Sequence, residues 1–439
     1  MYIKKIEIKN IRSISEFTME FPEGKEAGWH VLIGDNGAGK STIVRSASAV
    51  LIGPEEIGSV RQFWEEWLSQ GKDSGTITLE LVYDPKYDKT DHTPSLKEKV
   101  ITNAFQLKRN SRVLMESNIN AKSMNPKKFN WGNNDGWFSV AYGPFRRFTG
   151  GNPEWNKVYY AAPKAGAHLS VFGEDIALTE ALEWLKDLDR RRLKEIEFKA
   201  QDQTRETTTE YRSDADIIFH GLRQFINQSR LLPHNATFNG VSLDGNPEFL
   251  DGNGNIIKVT QMSDGYRSIL SLTFELIRQL VQVYGARSVF EGINPQKPHF
   301  KQCGVVLIDE IDAHLHPTWQ TRIGQWFTEY FPGLQFIVTT HSPLICRACE
   351  KGTIWRLAAP GSEQESGEVT GIQRDRLIFG NVLDAYGTQV FGADTSRSDT
   401  GNEKMKRLAE LNIKSITGKI SKNEEAEYQE LQAIFPTGK

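Results

Sequence analysis

Trp29-His-Val-Leu-Ile33, Gly34-Asp35-Asn36-Gly37-Ala38-Gly39-Lys40-Ser41, and the helical pattern from Lys40 to Leu51 form the stretch that decides the fold. The first five residues are a short continuous apolar run, the pattern of a strand buried on both faces in a parallel sheet. The run stops at Gly34, and the next eight positions satisfy Gly, four residues, Gly-Lys-Ser. A strand before and a helix after is the context in which this pattern binds phosphate. The glycines let the backbone wrap closely around phosphate oxygens, and the loop N–H groups and the helix N-terminus face the anion. Asn36, Gly37, Ala38, Gly39, Lys40, Ser41 and Thr42 are therefore the candidate nucleotide-binding residues. Lys40 is placed to reach the β- and γ-phosphates, and the Ser41 hydroxyl to ligate magnesium.

Val305-Val-Leu-Ile-Asp309-Glu310 is a second buried run, ending in two carboxylates. A strand of this kind delivers Asp309 to its C-terminal tip, where ligands sit in open α/β sheets. There Asp309 would hold magnesium, and Glu310 would polarise the attacking water; phosphoryl transfer needs such positioning more than covalent chemistry. Phe336-Ile-Val-Thr-Thr-His341-Ser is a third run, with a histidine at its tip that can hydrogen-bond the γ-phosphate.

The totals are ordinary for a soluble globular chain, with 25% charged and 38% hydrophobic residues. A length of 439 residues suggests two or three structural units. The formal net charge of -3 lacks the basic balance typical of nucleic-acid binding, although a local basic patch and DNA contact stay open. Three cysteines are too few for a disulfide-stapled secreted fold. The N-terminus has no signal-peptide layout, and no apolar run approaches the roughly 18 residues of a membrane span. A cytoplasmic protein with no membrane contact is expected.

Further strands are expected at Lys4 to Ile11, Phe17 to Phe21 and Thr76 to Tyr83, and a hairpin at Phe249 to Val259. Helices are expected at Thr179 to Ala200, Ser213 to Arg230 and Tyr266 to Tyr284. The first two are expected to form a hairpin projecting from the core, with residues 201–209 as a polar break. The segment 54–249 reads as an insertion of antiparallel strands and long loops. Residues 1–53 and 250–370 read as a discontinuous core, and 371–439 as a helical tail.

Together these residues resemble the ABC-type ATPases of the SMC, RecF and OLD group, over the N-terminal 60 residues and roughly 250 to 345. The resemblance implies an α/β fold: an ABC-type P-loop ATPase head with a mixed sheet, an inserted antiparallel β and helical region, and a helical C-terminal tail. In that group the position of Arg12 commonly approaches the nucleotide. A signature loop, Leu-Ser-Gly-Gly-Gln by consensus, precedes a long helix, and Met262-Ser263-Asp264-Gly265-Tyr266 stands in its place. Ser263 and Gly265 match; Asp264 and Tyr266 depart, and an acid near phosphate puts the hydrolysis rate in question. The loop's role in the family implies a homodimer or a higher oligomer of dimers, in which Ser263 and Gly265 contact ATP bound, with Mg2+, to the other copy. Asp312 resembles the residue that couples the two sites. His314 and His316 suit either a metal site or a post-strand turn. Gln62 is a weak candidate for the family's magnesium-sensing glutamine.

Within the group, Ala141-Tyr-Gly143-Pro-Phe-Arg146-Arg147-Phe148, Leu169 to Phe172, Gly380-Asn-Val-Leu383 and Phe391-Gly392 look like the ATPase subunit of Septu-type and retron-associated bacterial defence systems. That likeness implies an ATPase working with a separate HNH-type nuclease and, for retrons, with a reverse transcriptase and noncoding nucleic acid. Taken by itself, Tyr142 to Arg147 reads equally as a surface turn with basic residues. Asp214 and Asp216 read as the acidic first turn of a helix, and no nuclease site is expected in this chain. Cys346 and Cys349 read as two half-buried thiols on one helix. A RecF-like repair ATPase acting directly on DNA, and an ATP-loaded scaffold with little turnover, remain the alternatives.

Overall fold

The computed structural model describes residues 1–90, 100–109, 113–117, 125–132, 135–146, 152–173, 176, 180–201, 213–232, 235–242, 245–293, 296, 298–362, 365–381, 385 and 399–435. In chain order the strands are β1 (Tyr2–Ile11), β2 (Ile14–Glu20), β3 (Gly28–Gly34), β4 (Ser74–Val82), β5 (Val100–Arg109), β6 (Val113–Ser117) and β7 (Ser139–Tyr142). Then come β8 (Thr237–Val241), β9 (Pro247–Leu250), β10 (Ile256–Lys258), β11 (Gly304–Ile308), β12 (Leu334–Thr340), β13 (Ile354–Leu357) and β14 (Gly367–Glu368). They form three sheets, ordered β14-β13-β3-β12-β11-β7, β2-β1-β4-β5-β6 and β10-β9-β8.

In the six-stranded sheet β13, β3, β12, β11 and β7 are parallel, and β14 pairs antiparallel at the edge. The inner strands β11 and β12 are buried at every position, which is why their sequences are mostly apolar, with Gln335, Thr339 and Thr340 the buried polar residues of β12. The five-stranded sheet is antiparallel throughout. The Lys40–Ile52 helix contacts strands of both sheets. Eleven of its residues are consequently buried, and its interior is small and apolar (Ser46-Ala-Ser-Ala-Val-Leu51) instead of amphipathic. Its end is closed by Trp131, whose Nε1 donates to the Val50 carbonyl at 2.7 Å.

The segment expected as an insertion is built into both sheets. It supplies β4, β5 and β6 beside β1, and β7 beside β11, in register Val305 with Ser139 through Ile308 with Tyr142. The expected projecting hairpin is also only partly free. Helix Glu180–Gln201 packs on helix Asp214–Gln228, where Arg192 lies 4.2 Å from the Phe219 ring centre. Phe225 of the second helix is fully buried among Phe300, Trp326, Tyr330 and Phe331. A phenylalanine buried this way contributes roughly 1.5–3 kcal/mol, enough to hold the helix to the core. Leu193, Ile196 and Phe198, further along the first helix, are exposed. Residues 202–209, expected as a break, lie outside the described residues, as do Arg147, Phe148, Val382, Leu383, Phe391 and Gly392.

Contacts divide the chain into two compact units, Met1–Ile378 and Phe379–Lys439. The second holds helices Asp399–Ile416 and Lys422–Ile434, closed on Leu408, Leu411 and Leu431. Ser421 caps the latter helix in a reciprocal box with Glu424. Cys346 and Cys349 are fully buried, one in the short 3-10 turn Pro343–Ala348 and the other just after it, instead of half-buried on an α-helix. Among the described residues no helix is long and apolar enough to cross a membrane.

Candidate functional site

β3 feeds the loop 34–41, and three glycines allow its path. A Cβ on Gly34 would stand 2.7 Å from the Leu357 carbonyl oxygen of β13. Gly37 and Gly39 have φ of 80° and 100°, left-handed values that other residues adopt at a cost. The turn between β1 and β2 closes over the loop, since a Cβ on Gly39 would meet Ile14 at 3.0 Å. Gly39 is the N-cap of the Lys40–Ile52 helix, with no capping side chain and no acid in the first turn. Those opening N–H groups suit an anion. Asn36 and Gly37 are exposed, Ser41 is half-buried, and Ala38 and Thr42 are buried. Lys40 Nζ donates to the Gly34 and Asp35 carbonyls at 2.8 and 3.0 Å. Burial lowers its pKa, opposed by the negative fields of Asp309, Glu310, Asp312 and Asp35.

Asp309 follows the last residue of β11 and is buried. Its Oδ1 accepts from Thr339 Oγ1 at 2.6 Å, and the same hydroxyl accepts the Glu310 N–H at 2.7 Å. The next residue repeats the device: Thr340 Oγ1 donates to Asp312 Oδ1 at 2.6 Å and accepts the Ser342 N–H at 2.9 Å. Successive strand residues point to opposite faces, so the two threonines reach two different carboxylates. Glu310 and His314 both take left-handed φ, 48° and 65°. Strain of roughly 1–3 kcal/mol at such positions is characteristic of functional turns. His341, at the tip of β12, is exposed.

Arg146 is not the surface residue of a turn. It is 4% exposed, and its guanidinium donates to the carbonyls of Gly143 and Asp309 at 2.9 Å, Glu310 at 3.0 Å and Ile311 at 3.3 Å, and to Ser268 Oγ at 3.3 Å. Burial draws its pKa down to about 10, against the pull of Asp312, Asp309 and Glu310, so it stays protonated at neutral pH.

Arg12 sits in the β1–β2 turn at φ 50°, its guanidinium 4.7 Å from the Trp67 ring centre. Burial and the neighbouring Arg45 lower its pKa. Ser263 is the exposed N-cap of the Asp264–Tyr284 helix and makes no side-chain cap bond. Asp264 is ion-paired with Arg267, and Tyr266 meets Trp319 edge-on. Gly265 abuts the loop that follows Glu310, since a Cβ there would lie 2.8 Å from the His314 carbonyl oxygen. Gln62 is a tether, donating to the Phe172 and Val60 carbonyls. The His316 ring accepts the Thr318 N–H, capping a short helix. Ser213 caps the helix that Asp214 and Asp216 open.

The structure thus places the loop that ends in Lys40, after β3, and the Asp309 to Asp312 turn, after β11, at the same end of one parallel sheet. It adds three residues that the sequence reading did not assign to the site: Arg146, Thr339 and Thr340. Thr339-Thr340 lay within the quoted strand, and two hydroxyls at the end of an apolar run were the available signal. The donors Ser41 and Asp309 are hard oxygens, as Mg2+ requires, so the residues present fit that ion.

Residues 1–135 match the family model described as "AAA ATPase domain", and residues 167–347 the one described as "AAA domain, putative AbiEii toxin, Type IV TA system". The "Retron Ec83 probable ATPase" of Escherichia coli is 31% identical over 185 residues, 39% of this chain and 32% of that protein. The "Septu protein PtuA" of Bacillus mycoides (strain KBAB4) is 25% identical over 357 residues, covering 80% of this chain and 40% of that protein. The chain therefore spans about a third of the length of the first of these relatives and two fifths of the second. The "Retron Vc95 probable ATPase" of Vibrio cholerae serotype O1 biovar El Tor is 24% identical, over 78% of this chain and 71% of that protein. Among solved structures, the SmcHead bound to the C-winged helix domain of ScpA aligns over 84% of this chain and 97% of its own, at 14% identity and a TM-score of 0.46.

Proposed function

We propose that this chain, a P-loop protein of ABC type similar to the Septu and retron ATPases, binds ATP with Mg2+ at the 34–41 loop and hydrolyses it as part of a homodimer or an oligomer of dimers. The observation that carries this reading is geometric: a loop with Gly37 and Gly39 at left-handed φ, running into an uncapped helix N-terminus at Lys40, at the same end of one parallel sheet as the Asp309 carboxylate held by Thr339. A phosphate-binding cation near two carboxylates, Asp309 held by Thr339 and Asp312 held by Thr340, is an arrangement for positioning and charge neutralisation, which is most of what phosphoryl transfer requires. In this reading the loop N–H groups of Asn36 to Thr42 and Lys40 hold the phosphates. Arg12 approaches the nucleotide. Ser41 and Asp309 would hold Mg2+, which neutralises charge on the β- and γ-phosphates. Glu310 polarises the attacking water, and His341 hydrogen-bonds the γ-phosphate. Ser263 and Gly265 of each copy complete the site of the other, which the uncapped Ser263 supports.

Light scattering and phosphate release, comparing the native chain with Glu310→Gln, test this reading. ATP-dependent doubling of mass in Glu310→Gln, with turnover only in the native chain, is the expected result. An unchanged mass and no phosphate release would overturn it.

The finer role is the one that the resemblance to Septu-type and retron ATPases implies. The chain serves bacterial anti-phage defence, its ATP-dependent closure controlling a separate nuclease of HNH type, with a reverse transcriptase and noncoding nucleic acid in a retron setting. Strong stimulation of turnover by DNA would instead favour a RecF-like repair ATPase. A second reading, a slow ATP-loaded scaffold, draws on Asp264 in the signature loop. Its ion pair with Arg267 offsets that charge in part, and Asp264→Gly would raise turnover if the acid is what slows it.

A further inference from the structure

Arg146 touches two functional segments at once. Its two terminal nitrogens donate to three consecutive carbonyls, Asp309, Glu310 and Ile311, which form the acidic turn. Its Nε donates to Ser268, and its own carbonyl accepts from Ser271 at 3.3 Å. Both serines belong to the helix that begins after Ser263. Among the described residues no carboxylate pairs with the buried guanidinium, and its printed distances are to four carbonyls and one hydroxyl, so carbonyl dipoles carry much of the compensation. A planar fork with five N–H donors can span such a set; an ammonium, with three donors on one atom, cannot. The bonds to Asp309, Glu310 and Ile311 also bracket the residue held at φ 48°.

We propose that Arg146 is a positioning residue that locks the 309–311 turn to the helix behind Ser263, so that the two move as one body. The inference rests on the ATPase reading above. In that reading the turn serves the chain's own nucleotide and Ser263 serves the other copy's. One buried side chain then couples the two composite sites through the interior of each protomer. Arg146 does not reach substrate itself; it fixes where Glu310 and Ser263 stand relative to each other.

Arg146→Lys, Arg146→Met and Ser268→Ala in the full-length chain test this, each measured for melting temperature, ATP affinity, kcat and KM. Amide hydrogen exchange is followed in residues 309–311 and 264–268. Arg146→Lys is expected to bind ATP within about threefold of native, because the 34–41 loop is untouched, and to lose about 10- to 100-fold in kcat, the scale of a 1 Å misplacement. Exchange is expected to rise in both segments together, and Arg146→Met to exceed Arg146→Lys in both effects. Native kcat in Arg146→Lys, or faster exchange in one segment alone, would overturn the proposal. If both Arg146 variants fail to fold, Ser268→Ala carries the test: it removes one bond, and a rise in exchange confined to its own helix refutes the coupling. A native chain that binds ATP without turnover would sink the hydrolysis reading, while the paired exchange still decides the coupling.

Discussion

Replacing Thr339 by valine keeps the shape of the side chain and deletes one hydroxyl. That hydroxyl donates to buried Asp309 at 2.6 Å and accepts the Glu310 N–H at 2.7 Å. A hydrogen bond to a charged group contributes about 1.5–3 kcal/mol and a neutral one about 0.5–1.5, so the variant should lose roughly 2–4 kcal/mol. At 2–4 °C per kcal/mol for domains of 150–250 residues, melting should fall by about 4–16 °C, with the lower end fitting this longer chain better. Activity should fall by more than stability implies, because Asp309 and Glu310 lose their anchor together. Thr339→Ser is the control: it keeps the hydroxyl and should retain most turnover while losing the packing of one methyl. Differential scanning calorimetry and phosphate release on the three proteins make the comparison. A Thr339→Val protein with native melting and native kcat would refute the claim that this hydroxyl organises the acidic turn.

Two other outcomes follow from the same structure. Gly34→Ala should melt well below Gly37→Ala, since the first drives a Cβ to 2.7 Å from a backbone oxygen of β13, whereas the second meets open space and bears only the left-handed backbone cost of about 1–2 kcal/mol; equal melting would contradict this. His30 and His168 are held neutral by burial, with pKa drawn down to about 4 and about 3. The unfolded chain takes up those protons below its pKa of about 6.5 while the folded chain does not, so the stability they support is present above that pH and lost as the pH falls towards the folded values. Each should cost about 2 kcal/mol by pH 5, and His30→Gln should flatten the dependence of melting on pH between 7 and 5. A slope as steep as the native one would exclude His30 as a contributor.

The parallel strands were legible because burial on both faces favours short, mainly apolar runs: Trp29 to Ile33, Val305 to Ile308 and Phe336 to Val338 all announce themselves. β7 does not. Ser139-Val-Ala-Tyr142 is four residues between turns, and it becomes a strand of the central sheet only by pairing with β11. β4 was legible as a strand, yet its partners were not, since pairing with β1 depends on a register that neither sequence states alone. The same limit applied to the segment read as an insertion.

The Gly-rich 34–41 loop, the acidic pair after β11 and the histidine after β12 were legible as candidates from sequence alone, because each is a local pattern: glycines where φ is left-handed, charges where an apolar strand ends. Tertiary structure alone decided Arg146. A basic residue soon after Gly-Pro has the sequence of an exposed turn, and only carbonyls more than 160 positions along the chain make a buried guanidinium tolerable. Its environment is assembled by folding, from groups that every residue carries, and backbone carbonyls leave no mark in a sequence.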